Sequence, residues 1–378
     1  MVNDIQNKII IIGGGLIGEL LHLMLKSKGF EINHFAKALK IKNRTFALSP
    51  SSVDWLRSLG FPSSFFEALS EIKSMKIFDS SIKNSVTLDA EDVHKPALAY
   101  MVNEKDFNVA IKKTFNNEKN FKKLSTDFEI KTEQEQVILK FHNEEHKASI
   151  IIACDGANSM VREKIAINPL KHDFKQTALS FELKVKSEIQ KQAFQFFLKE
   201  SILAVLPIRK GLVSIVWSCD YQFFEKLNNL DDKSIENELN LIIGNYYKDI
   251  KIASKKEYFP LFMNSVESIF KDRVLLVGDA AHFIHPMAGQ GLNLGIRDII
   301  FLEKNIDKKD YMDIGLKGFL RKYERARKED VSQMGFLTFG LNWIFSKKST
   351  IVIGMIEKGM SMLDKSKFLK QQLIKKAI

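Results

Sequence analysis

Lys8-Ile9-Ile10-Ile11-Ile12-Gly13-Gly14-Gly15-Leu16-Ile17-Gly18 is the stretch that decides the fold. Residues 8–12 form an apolar run stopped by glycine, the pattern of a parallel strand buried on both faces. Leu16, Ile17, Leu20, Leu21, Leu23, Met24 and Leu25 follow with helical spacing, and Gly29 closes the helix. Residues 30–35 read as a second strand, which completes a β-α-β unit. Gly13 permits the tight turn, Gly15 lets a phosphate approach the backbone, and Gly18 lets the helix pack on the strand. The helix N-terminus adds free N–H groups and the positive end of its dipole. The unit therefore predicts a dinucleotide diphosphate site. It departs from the pattern in one place: the acid expected at the end of the second strand, where it would bind a ribose, is Ala36, followed by Lys37.

Two further motifs lie at the ends of buried runs. Residues 149–153 lead into Ala153-Cys154-Asp155-Gly156-Ala157-Asn158-Ser159, with Arg162 beyond. Open α/β sheets place ligands at such strand ends, although an Asp-Gly turn alone is common in any fold. Residues 273–277 lead into Gly278-Asp279-Ala280-Ala281-His282, then His285-Pro286, then Gly289-Gln290-Gly291-Leu292-Asn293-Leu294-Gly295, with Asp298. Asp279 is placed to aim a carboxylate at a polyol hydroxyl. Gly289 to Gly291 open a helix whose first N–H groups can stabilise negative charge on a bound ring. His282 and His285 are i,i+3 with Pro286 after them and no carboxylate or cysteine completing a set, so no metal site is predicted. A structural hydrogen bond is the simpler role for them than proton transfer.

Between these motifs the pattern changes. Residues 104–115 read as a helix and residues 127–152 as three short strands. Residues 175–186, 194–206 and 211–217 read as an antiparallel sheet, residues 231–249 as a helix, and residues 289–304 as another. From about residue 310 the chain is helical and lysine-rich. Trp217, Phe181, Phe197 and Phe262 fall on the intervening strands, where such side chains more often build core than touch a ligand.

Over 378 residues, a hydrophobic content of 45% and a charged content of 27% are ordinary for a globular protein with a sizeable core. The net charge of +11 fits attraction to phosphates or an anionic membrane surface, or compositional drift. No helix-turn-helix, zinc-finger or RNA-binding signature accompanies it, so nucleic acid is not an expected partner. Cys154 and Cys219 form no C-x-x-C pair, which fits a reducing cytoplasm. No leader and no span are predicted; the longest candidate run, Gly335 to Phe345, stops at Lys347-Lys348.

The three motifs, in this order and spacing, resemble the flavoprotein aromatic hydroxylases with the para-hydroxybenzoate hydroxylase fold. The string from His285 to Gly295 with Arg297-Asp298 resembles the ubiquinone-biosynthesis hydroxylases among them. Arg44 to Ser49, Leu203 to Pro207 and Leu320 to Arg327 extend the resemblance over nearly the whole chain. It implies an α/β (α+β) architecture: a discontinuous Rossmann-like FAD-binding domain (1–75, 98–168 and 265–310), an inserted antiparallel-sheet substrate domain (76–97 and 169–264) and a helical C-terminal region (311–378). It implies that Gly13, Gly15 and Gly18 bind the FAD diphosphate, that Arg44 approaches the diphosphate or ribose, and that Asp279 bonds the ribitol. Lys105 stands where the family usually has arginine and keeps the charge without the bidentate fork. Asp155 belongs to a motif serving both FAD and the reduced nicotinamide. Gly289, Gln290, Gly291, Leu292 and Asn293 would lie under the isoalloxazine ring.

The implied reaction is hydroxylation of a polyprenylated phenol in ubiquinone biosynthesis, using NAD(P)H and O2 through a C4a-hydroperoxyflavin. No catalytic base is evident. The implied setting is the cytoplasm, with peripheral contact at the inner face of the membrane; a biosynthetic complex and a homo-oligomer remain open. Two other readings also remain open. One is a hydroxylase of a small aromatic compound, separable by membrane access. The other is a flavin-binding subunit without catalysis, separable by NAD(P)H oxidation.

Overall fold

A computed structural model describes residues 5–37, 44–80, 82, 85–115, 121–187, 191–283, 290–306, 313–346 and 350–377. Strand β1 (Lys8–Ile12) turns into helix α1 (Leu16–Ser27), and β2 (Glu31–Ala36) returns beside β1. Then come β3 (Thr45–Leu48), the hairpin β4 (Ser74–Asp79) and β5 (Ser85–Asp89), β6 (Ala99–Asn103) and β7 (Ile150–Ala153). The large sheet is built from β8 (Pro169–Lys186), β9 (Gln192–Phe197), β10 (Ser201–Arg209), β11 (Leu212–Asp220) and β12 (Glu257–Val266). The chain ends through β13 (Val274–Leu276) and helices α2 (Gln290–Asn305), α3 (Lys317–Ser346), α4 (Thr350–Lys365) and α5 (Lys367–Ala377).

The apolar runs sort themselves as their composition demands. β13, β7, β1 and β2 lie side by side and parallel in a six-stranded sheet, so strands from the start, middle and end of the sequence share one layer. Ile9 to Ile12 and Ile150 to Ile152 are sealed on both faces, at 1% exposure or less. Burying each such side chain contributes about 1.5–3 kcal/mol. All three sequence motifs hang from the C-terminal ends of these strands, which brings residues 13–18, 154–162 and 278–283 to one edge.

The second sheet has eight strands. One face carries Phe194, Phe196, Leu203, Val205, Ile215, Trp217, Leu179 and Phe181, packed against helices Tyr221–Asn228 and Asp232–Ile243 through Leu227, Ile235 and Leu239. Trp217 and Phe181 are therefore core. One local expectation is corrected: the helix expected over 231–249 ends at Ile243, where Gly244 caps it, and Lys248–Ile252 forms a strand on β8. The strands expected over 175–186, 194–206 and 211–217 pair antiparallel, and the hairpin β4–β5 joins the same sheet with β4 running parallel to β9.

The C-terminal helices do not stand apart. Met360 and Ile374 pack on Val86 and Leu88 of β5, with Leu363 and Leu373 beside them. Ile351, Val352, Met355, Ile356, Met360, Met362 and Leu363 form a helically spaced apolar stripe among lysines, and Met360 and Leu363 of it thus cover the edge of the second sheet. Among the described residues no helix is long and apolar enough to cross a membrane.

Candidate functional site

The glycine loop is shaped by steric necessity. Gly13 has φ of +136°, a region closed to side chains, and a Cβ there would run into the Cys154 carbonyl. A Cβ on Gly18 would collide with the Gly13 carbonyl, so loop and helix can approach this closely only through glycine. Gly15 differs. It is the N-cap of α1, makes no side-chain cap bond, and a Cβ there would meet nothing within 4 Å. The first-turn N–H groups of α1 thus face open space in front of a positive helix end. Gly15→Ala should leave thermal stability within about 0.5 kcal/mol and weaken dinucleotide binding about 5- to 150-fold by filling the space a phosphate needs. Melting curves and flavin fluorescence titration separate the two effects, and Gly18→Ala should instead fail in the melting curve.

The buried His34 and the half-buried His22 brace this loop from behind. The Gly13 carbonyl can only accept, so His34 Nε2 donates to it at 2.8 Å. His34 Nδ1 must then accept from His22 Nδ1–H, 3.2 Å away. Burial pushes His34 down to about 4, opposed by its bond to Gly13, so the ring is neutral at physiological pH. Neither histidine stands out in the sequence. Beyond His34, Ala36 is buried and Lys37 exposed, and β2 ends beside Lys122 and Lys123 with no acid at the expected position.

The third motif is organised by Asp298, which is fully buried. Its Oδ2 accepts from Gly278 N–H at 2.7 Å and His282 Nε2 at 2.8 Å, and its Oδ1 accepts from Arg327 Nε at 2.5 Å. Burial opposes ionisation of Asp298, but His282 and Arg327 outweigh it and hold the carboxyl below its ordinary range. Gly278, at φ of +62°, and Gly295 make room for Ile17, which locks α1, this turn and α2 together.

Asp279 points the other way. A Cβ on Gly291 would sit 3.7 Å from Asp279 Oδ1, so the carboxylate looks onto the first turn of α2. Among the described residues it makes no side-chain hydrogen bond, and burial raises its pKa, opposed by His282 and Arg44. The Asp155 carboxylate accepts from Val161 N–H at 3.0 Å through Oδ2, while its Oδ1 is buried with no partner. Arg162 ties the second and third motifs by donating to Ala157 O and Ala280 O.

Asn293 and Arg44 are engaged by protein. Asn293 Oδ1 accepts from Ser49 N–H at 2.8 Å and Ser52 Oγ at 2.9 Å, and its Nδ2 donates to Ala47 O at 2.8 Å. Its side chain therefore clamps β3 to α2. Arg44 makes a bidentate pair with the buried Glu104, Nε to Oε2 at 2.9 Å and Nη2 to Oε1 at 2.7 Å. Lys105 is exposed, and its own N–H is capped by Asn103. Leu292 is partly buried against the main core. Gly289, with His285 and Pro286, lies outside the described residues, as does the side chain of Gln290.

Residues 6–334 match the family model for the FAD binding domain. The chain belongs to the FAD-binding-domain family. Within it, the chain is 26% identical to the mitochondrial ubiquinone biosynthesis monooxygenase COQ6 of Dictyostelium discoideum, over 97% of this chain and 90% of that protein. It is 24% identical to the 3-demethoxyubiquinol 3-hydroxylase of Escherichia coli, over 98% of each chain. Its fold is that of p-nitrophenol 4-monooxygenase from Pseudomonas putida, with a TM-score of 0.76 at 15% identity, covering 98% of this chain and 97% of that one.

The residues present fit FAD as the cofactor. The open cradle at Gly15, the unpartnered carboxylate of Asp279 and the orphaned Asp155 Oδ1 line one edge of the first sheet, and each has room for a polar partner that the described residues do not supply.

Proposed function

We propose that this FAD-dependent aromatic hydroxylase acts on the ring of a polyprenylated phenol in ubiquinone biosynthesis, with NAD(P)H and O2 as co-substrates. The observation that carries the reading is the pairing of the open glycine loop and the Asp279 carboxylate with end-to-end similarity to a 3-demethoxyubiquinol 3-hydroxylase. When bound, FAD would supply the redox chemistry that carries two electrons from the nicotinamide to O2, so that one oxygen atom enters an electron-rich ring and the other leaves as water. In this reading Gly13, Gly15 and Gly18 with the α1 N-terminus take the diphosphate, and Asp279 takes a ribitol hydroxyl. The first turn of α2, from Gln290 to Asn293, would offer N–H groups and a positive dipole end to the charge of the reduced ring, with Gly289 preceding it in the sequence. Asp155 serves the flavin and the nicotinamide, and Arg44 and Lys105 add positive charge near the phosphates. No side chain is required as a general base; the chain's tasks are to orient the ring and exclude water. The discontinuous cofactor domain and the sheet inserted into it then divide the work, one holding flavin and the other covering the ring.

A tailed substrate needs access from a bilayer. Met362 and Phe368 stand out from α4 and α5 at 64% and 66% exposure, next to Lys365 and Lys367. Near an anionic surface each cation adds about 1 kcal/mol, and exposed apolar groups insert at the interface. Truncating these helices would uncover Val86 and Leu88, so point changes are the cleaner test. Met362→Ser with Phe368→Ser should cut sedimentation with phosphatidylglycerol vesicles at low salt by several-fold while FAD content stays constant. Equal sedimentation of both proteins, or none by either, would favour a small aromatic substrate.

A further inference from the structure

A cleft of about 460 Å³ opens where the β10–β11 hairpin of the large sheet meets the small sheet formed by β3, β6 and strand Ser70–Ile72. That volume is ordinary for a small-molecule site, and such sites favour junctions between structural units. None of the residues lining it belongs to the three sequence motifs. Helix Ser63–Glu67 buries Phe65 in the main core and leaves Phe66 half-buried at its edge, with the Arg57 guanidinium 4.3 Å over the ring. Strand Ser70–Ile72 buries Ile72, while Glu71 pairs with Lys191 at 2.8 Å. Ser70 Oγ donates to the Ile208 carbonyl and ties the two walls together. Leu69, Pro207 and Val213 complete an apolar lining.

The polar groups of this cleft are unevenly matched. Gly211, at φ of +75°, closes the hairpin turn and leaves Arg209 and Lys210 exposed at the mouth. Neither has an ion pair or a side-chain hydrogen bond among the described residues, whereas Lys191 is neutralised by Glu71. Glu67, also at the mouth, is the one acid there without a pair among the described residues, so cations are in excess. The inner end is formed by Tyr247. Because the helix before it stops at Ile243, the Tyr247 N–H bonds the Ile243 carbonyl at 3.0 Å and the ring meets Phe194 edge-on, with centroids 5.9 Å apart. Tyr247 is 1% exposed, and its hydroxyl is buried without a partner. Buried tyrosine hydroxyls normally find one. The cleft is therefore cationic at its mouth and apolar along its walls, with an unmatched hydroxyl at its inner end.

We propose that this cleft is a second ligand site, separate from the flavin motifs, for a small aliphatic acid with a polar atom at its far end, the ω-hydroxy carboxylate class. Arg209 and Lys210 hold the carboxylate, the lining of Phe66, Leu69, Pro207 and Val213 takes the methylene chain, and the Tyr247 hydroxyl shares a hydrogen bond with the terminal hydroxyl. A bound polar atom at that end removes the deficit left by the unmatched tyrosine. The site stands or falls independently of the phenol reading above.

The test uses the full-length, FAD-loaded protein and 8-hydroxyoctanoate, with binding read by calorimetry and the visible flavin spectrum recorded in parallel. Octanoate, which lacks the terminal hydroxyl, and 1,8-octanediol, which lacks the charge, should each bind about 3- to 10-fold more weakly. Arg209→Gln should weaken 8-hydroxyoctanoate about 3- to 10-fold, and Glu67→Gln should tighten it about 1.5- to 5-fold by removing a like charge. Tyr247→Phe should reduce 8-hydroxyoctanoate to the affinity of octanoate and leave octanoate itself unchanged. The same variant, without ligand, should melt at the wild-type temperature or above, because it deletes an unmatched buried hydroxyl. The flavin spectrum should stay constant throughout. No binding by wild type, or equal affinity for the three compounds, would overturn the assignment. Binding that shifts the flavin spectrum and ignores Arg209→Gln and Tyr247→Phe would also overturn it, by placing the acid at the flavin. A Tyr247→Phe protein that melts several degrees lower and binds both acids equally less well would overturn it too, by showing that the hydroxyl serves the fold.

Discussion

Asp279→Ala should lower FAD affinity about 10- to 150-fold while leaving the apo-protein as stable as wild type, or slightly more so. A charge-assisted hydrogen bond lost from a buried carboxylate corresponds to about 1.5–3 kcal/mol. The stability half of the expectation follows from direction. Burial raises the Asp279 pKa, so ionising this carboxyl costs more in the folded than in the unfolded chain, and removing it relieves rather than creates a deficit. Flavin titration and thermal melting of the apo-protein check both halves. Equal FAD affinity in the two proteins would show that this carboxylate does not hold the cofactor.

Asp298→Ala should be the most destabilising single change near the site, about 3–5 kcal/mol, because it leaves His282 and the Gly278 N–H without their buried acceptor and strips Arg327 of its buried partner, leaving it the half-buried Asp330. Its pH signature has a definite sign. A carboxyl whose folded pKa lies below its unfolded value contributes stability above about pH 4, and that contribution is lost as pH falls through the folded pKa. Wild type should therefore lose stability steeply below about pH 4, and Asp298→Ala should lose less over the same window. Parallel acid titrations of the two proteins by circular dichroism would contradict this account of the hub. The contrast with Asp279 is informative: adjacent parts of one motif carry one acid spent on the fold and one left for a ligand.

The first sheet was legible because its information is local. An apolar run, glycines and a helical stripe lie within residues 8–28, and the runs ending at Ala153 and Val277 repeat the buried-strand pattern. What the sequence hid is pairing across distance. Glu104 lies 60 residues from its partner Arg44, and Arg327 lies 29 from Asp298; no spacing rule announces either pair. Asn293 looks like a ring-facing residue because it sits among glycines, yet its amide closes on Ala47 and Ser49. The helix placed over residues 231–249 overran because Leu241, Ile242, Ile243, Tyr246 and Tyr247 continue the apolar spacing past Gly244. The C-terminal stripe could not be divided between the protein's own core and solvent until Val86 and Leu88 were seen beneath Met360 and Ile374.

The measurement that tests the central claim most directly is isotope transfer. FAD-loaded protein is supplied with NADH or NADPH, 2-farnesylphenol and 18O2, and the product is analysed by mass spectrometry. Aromatic hydroxylation predicts one 18O atom in the ring for each nicotinamide oxidised. A flavin that is reduced and reoxidised with only hydrogen peroxide formed, or label entering from water instead of O2, would contradict it.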